Sequence, residues 1–191
     1  MKKKLLVVSL CAIIAIMAIA GSSLAWLQDS TDTVVNTFTE GKVDITLTET
    51  TGSEYKMVPS KEISKDPIVS VSANSEACWL FVKVTEINNV DTFLTYDFAD
   101  GWEILEGTFD HDPTNGNETV IVYRAITAES AKTGVSYPVL KNNQVVVKNT
   151  VEMSHMDSIA TNKPQLTFTA YAIQQLGTGT AAQAWATANF N

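Results

Sequence analysis

The sequence predicts an all-β protein, an antiparallel β-sandwich with a few short helices, preceded by an N-terminal signal helix. Three observations support that class. Past residue 40, segment after segment alternates apolar and polar residues at the period of a strand, as in Val43-Asp44-Ile45-Thr46-Leu47-Thr48. Clusters of Asn, Gly, Ser and Pro break those segments at short intervals. A long apolar run, Leu5 to Ala20, sits at the amino end behind Lys2, Lys3 and Lys4.

That run has the layout of an export signal, with sixteen apolar residues followed by Gly21-Ser22-Ser23-Leu24-Ala25 ahead of Trp26-Leu27-Gln28-Asp29. As a helix it spans roughly 24 Å, short of a bilayer core of roughly 30 Å, although continuation to Leu27 would just cross. Ser23 and Ala25 favour cleavage over an uncleaved anchor, because they put small side chains three and one positions before Trp26, where a signal peptidase has shallow pockets. The chain then divides into a cleavable signal peptide, 1–25, an extended segment, 26–40, and a sandwich domain, 41–191. A lipoprotein needs a small residue where Leu10 precedes Cys11, so Cys11 leaves with the signal.

Processing removes three lysines and leaves ten basic against 21 acidic residues, a net charge of −11. Such a chain has no general electrostatic attraction for nucleic acid, which requires clustered Lys and Arg. Its length fits one domain with a proper core. Cys78 is the only cysteine left, so stability comes from packing rather than from an internal disulfide. Its place in Cys78-Trp79-Leu80-Phe81-Val82 is that of a small buried hydrophobe.

The strands follow in order. Val43, Ile45 and Leu47 form one half-buried face, and Val69 and Val71 form another after Pro67. Cys78, Leu80, Val82 and Val84 make one face of a longer strand with Trp79 and Phe81 on the other, so this strand is covered on both sides at its start and is the candidate centre of the fold. Leu94, Tyr96 and Phe98 alternate with Thr95 and Asp97, and Asp100-Gly101 turns the chain into Trp102-Glu103-Ile104-Leu105. Val120 to Ala125, Val145 to Val147 and Leu166 to Ile173 complete seven to nine strands. Turns fall at Thr51-Gly52-Ser53, Asn88-Asn89, Asn115-Gly116-Asn117, Asn142-Asn143 and Asn162-Lys163-Pro164. Two short helices remain: Thr180-Ala181-Ala182-Gln183 reads as a capping box opening a helix with Trp185, and Val151 to Ile159 puts Val151, His155 and Ile159 on one face.

Ala25-Trp26-Leu27-Gln28-Asp29, then Asn36-Thr37-Phe38 and Gly41-Lys42-Val43-Asp44-Ile45-Thr46-Leu47, resemble the start of the TasA and camelysin family. The likeness continues through Met57-Val58-Pro59, Lys65-Asp66-Pro67, the strand from Cys78 and the closing Leu166 to Gln174. Ser60 departs from the pattern, since relatives usually place glycine after that proline. The resemblance implies a jelly-roll β-sandwich exported by Gram-positive bacteria and released by a signal peptidase of the SipW type. It also implies a secreted product in the extracellular matrix or at the cell surface. For the TasA branch it implies self-association into biofilm fibres, with a further anchoring or minor fibre protein as a possible partner; for the camelysin branch, a metal-dependent peptidase. A monomeric surface binding module or adhesin is a third expectation.

In the TasA branch the leading strand of one subunit adds to the sheet of the next. Here Thr31 to Phe38 is eight residues, roughly 26 Å extended, rich in β-branched Thr31, Thr33, Val34, Val35 and Thr37 and free of Gly and Pro. Main-chain hydrogen bonds supply the affinity of such a strand, and side chains entering alternate pockets set its register, with Val34 and Phe38 as anchors. The competing reading is an ordinary first strand paired within its own subunit.

No catalytic constellation stands out. The chain has only His111 and His155 and no His-Glu-x-x-His helix. Glu152 and His155 offer two zinc ligands one helical turn apart, whereas catalytic zinc wants three. Asp110 and Asp112, in the acidic loop 110–118, offer oxygens for calcium without the spacing of a twelve-residue hand. That loop reads instead as a wet hairpin tip between strands at Phe109 and Val120. The expectation is therefore no required cofactor, with Ca or Zn as the ions to weigh. Tyr55, Trp102 and Tyr137 are candidates for a ligand groove or for core packing.

Overall fold

A computed structural model describes residues 41–52, 54–114, 116–159, 161–188 and 190, all within the unit Glu40–Asn191. The signal peptide, the junction at Ser23, Ala25 and Trp26, and the segment carrying Thr31, Thr33, Val34, Val35 and Phe38 lie outside the described residues. Among the described residues no helix is long and apolar enough to cross a membrane.

The described chain is mostly β-sheet, in three antiparallel sheets. The largest has four strands in the order β10 (Gln165–Gln174), β4 (Cys78–Ile87), β7 (Thr119–Ile126) and β6 (Glu103–Glu106). A second joins β1 (Ile45–Thr48), β3 (Ile68–Val71) and β8 (Val135–Pro138), and a third joins β2 (Glu62–Ser64), β9 (Gln144–Val147) and β5 (Leu94–Thr95). Among the described residues, short α-helices α1 (Val90–Phe93), α2 (Ala128–Thr133) and α3 (Met153–Ile159) lie in connections between strands, and α4 (Ala181–Ala188) follows β10.

The alternation in β4 explains the layering. Cys78, Leu80, Val82 and Val84 share one fully buried cluster with Val120, Val122 and Ile126 of β7, Val69 and Val71 of β3, and Val145 of β9. One face of the four-stranded sheet thus meets residues of both smaller sheets. The opposite face carries Trp79, Phe81, Ile121, Tyr123, Tyr171 and Ile173, and α4 covers it with Ala181, Ala184 and Trp185. Phe81 is fully buried, as a strand covered on both sides requires. The α4 capping box is reciprocal: the Thr180 backbone N–H donates to Gln183 Oε1 at 2.9 Å and the Gln183 N–H donates to Thr180 Oγ1 at 3.3 Å.

The structure corrects the strand pattern in two places. The alternation Leu94-Tyr96-Phe98 yields only a two-residue strand, because α1 precedes it and Phe98 makes a single bridge to Leu140. Phe109 belongs to no strand; the β6–β7 connection runs from 107 to 118, and Phe109 packs on Phe98 and His111 at 4.6 and 4.5 Å between ring centres. Gly107 opens that loop at φ +86°, where a Cβ would sit 2.3 Å from the Thr119 carbonyl oxygen. Strands β2 and β8 have too few apolar residues to declare themselves in sequence; each is fixed by its neighbour in the sheet. The turn asparagines behave as their chemistry allows, with Asn88, Asn89, Asn142 and Asn143 all left-handed at φ 52–62°.

Ser60 is also left-handed, at φ 63°, and its backbone N–H donates to the Val147 carbonyl at 3.0 Å. A residue with a Cβ is strained there, whereas glycine would not be. Ser60→Gly is expected to raise stability by about 0.5–1 kcal/mol, the relief of left-handed strain less the extra entropy of glycine in the unfolded chain. Urea denaturation midpoints check it.

Candidate functional site

Two features stand out once the sheets are laid down. The first is the free edge of β10. This strand pairs with β4 over ten consecutive residues, Gln165 opposite Ile87 to Gln174 opposite Cys78, and among the described residues no strand is hydrogen-bonded to its other side, although β1 packs close to it. Open edges invite pairing with another chain unless they are short, bulged, charged or interrupted by proline. Other edges follow that rule: β6 is bulged and acidic, β8 ends in Pro138, and β1, β2 and β5 have two to four residues. β10 has ten residues without a charge, proline or bulge.

A cleft of about 770 Å³ opens at the start of β10, its apolar floor made by Met57, Ile63, Leu94, Val145 and Leu166 and its lining completed by charged residues that include Glu54, Lys56 and Lys163. Lys65 closes the same region, its ammonium 2.7 Å from Glu49 Oε1 and 5.4–5.5 Å from the ring centres of Tyr55 and Phe168. Asp66 anchors the adjoining turn by accepting from the Thr50 hydroxyl and the backbone N–H groups of Thr50 and Thr51. Those bonds hold its carboxyl down to about 2.

The second feature is a buried acid–histidine cluster below Tyr96. Glu86 and Asp91 are each 2 % exposed, and His111 reaches them from the β6–β7 connection. His111 Nδ1 lies 2.8 Å from Asp91 Oδ1, and Nε2 lies 2.7 Å from the Tyr96 carbonyl oxygen. A carbonyl only accepts, so Nε2 carries a proton. Tyr96 Oη donates to Glu86 Oε1 at 2.6 Å, whereas Glu86 Oε2 receives no N–H or O–H from any other residue. Burial, reinforced by the neighbouring Asp91 charge and by a hydrogen bond that the protonated Glu86 carboxyl makes to Asp91, pushes the Glu86 carboxyl up to about 7 against the lowering effects of Tyr96 and His111. Lys148 Nζ donates to the main-chain carbonyls of Asp91 and of His111, tying the two loops together.

The residues weighed from sequence are placed elsewhere. Asp110 and Asp112 sit in the exposed part of the loop, where Asp110 Oδ1 accepts from the Asp112 N–H at 3.0 Å and Asp112 Oδ1 accepts from the Thr114 N–H and hydroxyl at 2.9 and 2.8 Å. Those bonds lower the Asp112 carboxyl below its ordinary value. Glu152 and His155 stand at the start of α3, with His155 Nδ1 accepting from the Glu152 backbone N–H at 3.0 Å and its ring edge against Phe93 at 6.3 Å. Among the described residues the three potential ligands that converge are Glu86, Asp91 and His111. Sequence carried one signal for them: Glu86 continues the inward series Cys78, Leu80, Val82, Val84 at the same spacing of two. Asp91 and His111 meet it only through loop packing.

Other candidates are absorbed by packing. Trp102 and Tyr137 hold the guanidinium of Arg124 at 5.3 and 3.7 Å from their ring centres, and Trp102 Nε1 donates to the Pro138 carbonyl at 2.8 Å. Cys78 is fully buried, and burial pushes its thiol up to about 11, which rules it out as a nucleophile at neutral pH. Compared with known proteins, the chain matches no protein-family model, no curated protein and no solved structure.

Proposed function

We propose that this chain is an exported subunit of surface or matrix fibres, of the TasA kind, that assembles by strand complementation. The observation that carries the reading is the ten-residue outer edge of β10, to which no described strand is hydrogen-bonded, with a cleft of mixed apolar and charged lining at its start. An eight-residue β-branched segment, Thr31 to Phe38, matches that edge in length and chemistry. In this arrangement the segment from one subunit adds beside β10 of the next, and Val34 and Phe38 enter the cleft. Cleavage after Ala25 by a peptidase of the SipW type frees the segment, so processing is the switch from tethered monomer to polymer. The three sheets then form a jelly-roll-like sandwich whose missing strand comes from a neighbour, a reading supported by the single core shared between the four-stranded sheet and both smaller ones.

Protein beginning at Trp26 is expected to form filaments above a threshold concentration, visible by electron microscopy, and protein beginning at Gly41 to remain monomeric. Added peptide 31–38 should shorten the filaments by occupying free edges. Filaments from the truncated chain would overturn the assembly mechanism. So would a Trp26 chain that stays monomeric at every concentration while residues 31–38 resist hydrogen exchange, since the segment would then be paired within its own subunit. Chelator-sensitive cleavage of casein, lost in His155→Ala, would replace the structural role with a peptidase.

A further inference from the structure

The geometry points to a structural transition-metal site, filled by a zinc-like divalent ion, at Glu86, Asp91 and His111. One ligand atom from each residue lies within 4.8 Å of the other two. Two carboxylates and an imidazole are the donor set of a small borderline ion rather than of calcium, which takes six to eight oxygens.

The independent observation is the orphaned oxygen. Glu86 is 2 % exposed, its Oε1 accepts from Tyr96, and its Oε2 receives no N–H or O–H from any other residue, so that in the metal-free protein only a proton shared with the neighbouring Asp91 carboxylate satisfies it, a place that a cation would take. A buried, ionised carboxylate oxygen without a partner is costly, and coordination satisfies it. The imidazole is already arranged for the task. Nε2–H is held by the Tyr96 carbonyl, which leaves Nδ1, on the Asp91 side, as the nitrogen to offer its lone pair. That is the usual outer-shell device of metal-bound histidine, whose second ring N–H is fixed by a carbonyl or carboxylate. Tyr96 does the same for Glu86 through its hydroxyl, and Lys148 fixes the backbone of both Asp91 and His111. On binding, Nδ1 and Glu86 give up any proton they hold to solvent, and two carboxylate charges offset the ion's double charge.

Burial assigns the ion a structural role. Glu86 and Asp91 are sealed from solvent, and only the partly exposed His111 offers a way in. The ion would pin the β6–β7 connection, through His111, to the end of β4 and to α1, with ligands up to 25 residues apart in the chain. This site is independent of strand exchange.

The test is a titration of the purified chain, first stripped with chelator, with Zn²⁺ followed by calorimetry and thermal unfolding. One Zn²⁺ per chain and a raised midpoint are expected. Glu86→Gln and His111→Gln should each weaken Zn²⁺ binding at least ~100-fold, while Asp112→Asn and His155→Gln leave it unchanged. Because the buried variants can lose structure, the unmutated protein provides a second readout: two-bond ¹H–¹⁵N spectra should show Zn²⁺ on Nδ1 of His111 with Nε2 still protonated. No Zn²⁺ binding, binding that survives His111→Gln, or a spectrum in which His155 alone responds would overturn the assignment.

Discussion

Phe81→Ala is expected to destabilise the protein by about 4 kcal/mol and to loosen α4 from the sheet. Phe81 is fully buried on the face of β4 opposite the main core, where it packs against Trp185, Phe190 and Tyr123 at 5.1, 6.3 and 6.5 Å between ring centres. Removing the ring takes away the only fully buried large side chain on the face that α4 covers, among the described residues, and its neighbours are mostly aromatics that fill such a gap poorly. Trp185 also packs edge-on against Tyr171 at 5.5 Å, so this cluster couples the helix to β10. Denaturant unfolding gives the magnitude. Tryptophan fluorescence should show Trp185 more exposed in the folded variant. A loss below about 1 kcal/mol would mean that α4 contributes little to the fold. With α4 in place, its Ala181, Ala184 and Trp185 cover that face of the sheet, so in the proposed assembly β10 would offer neighbours its edge rather than this face.

In chelator-treated protein, stability is expected to fall as pH rises from about 4.5 to about 7, and Glu86→Gln to abolish that fall. Glu86 has an ordinary value of 4.5 and is pushed up to about 7, first by burial and then by the charge of Asp91. Between those values the unfolded chain has released the proton that the folded chain retains. The unfolded state therefore binds fewer protons, and stability drops with pH. A separation of this size corresponds to about 3 kcal/mol, complete once pH exceeds the folded value. Asp66 works in the opposite sense, since its folded value near 2 lies below the ordinary 3.8, and the stability it confers is lost as pH falls through that window. Maximal stability of the metal-free protein is thus expected near pH 4–5. Thermal midpoints across pH 3–8 check the shape, and a flat profile in the parent chain would show that Glu86 ionises freely.

Local patterning made much of the fold legible. The alternation in Cys78 to Val84 and in Leu166 to Ile173 identified the two longest strands, and the capping box at Thr180 located α4. These signals are local because a strand with one wet face must alternate, and a helix must satisfy its first N–H groups nearby. Where neighbours decide, the pattern failed. Tyr96 alternates correctly with Leu94 and Phe98, yet it serves as a lid over Glu86 rather than as part of a long strand. Phe109 sits in an aromatic cluster with Phe98 and His111 instead of on a ladder. Trp102 and Tyr137, read as groove or core residues, clamp Arg124 because β7 and β8 bring them to either side of it.

By itself the sequence determined the β class, the acidic character, the likeness of its first 25 residues to an export signal and the β-branched, Gly- and Pro-free composition of Thr31 to Phe38. Each of these is written in residue order, at a spacing of one to four positions. Only the tertiary structure decided which long edge has no further strand hydrogen-bonded to it among the described residues and which carboxylates meet a histidine. Edge status depends on every other strand in the sheet, and Glu86, Asp91 and His111 meet only after residues up to 25 apart in the chain have folded together.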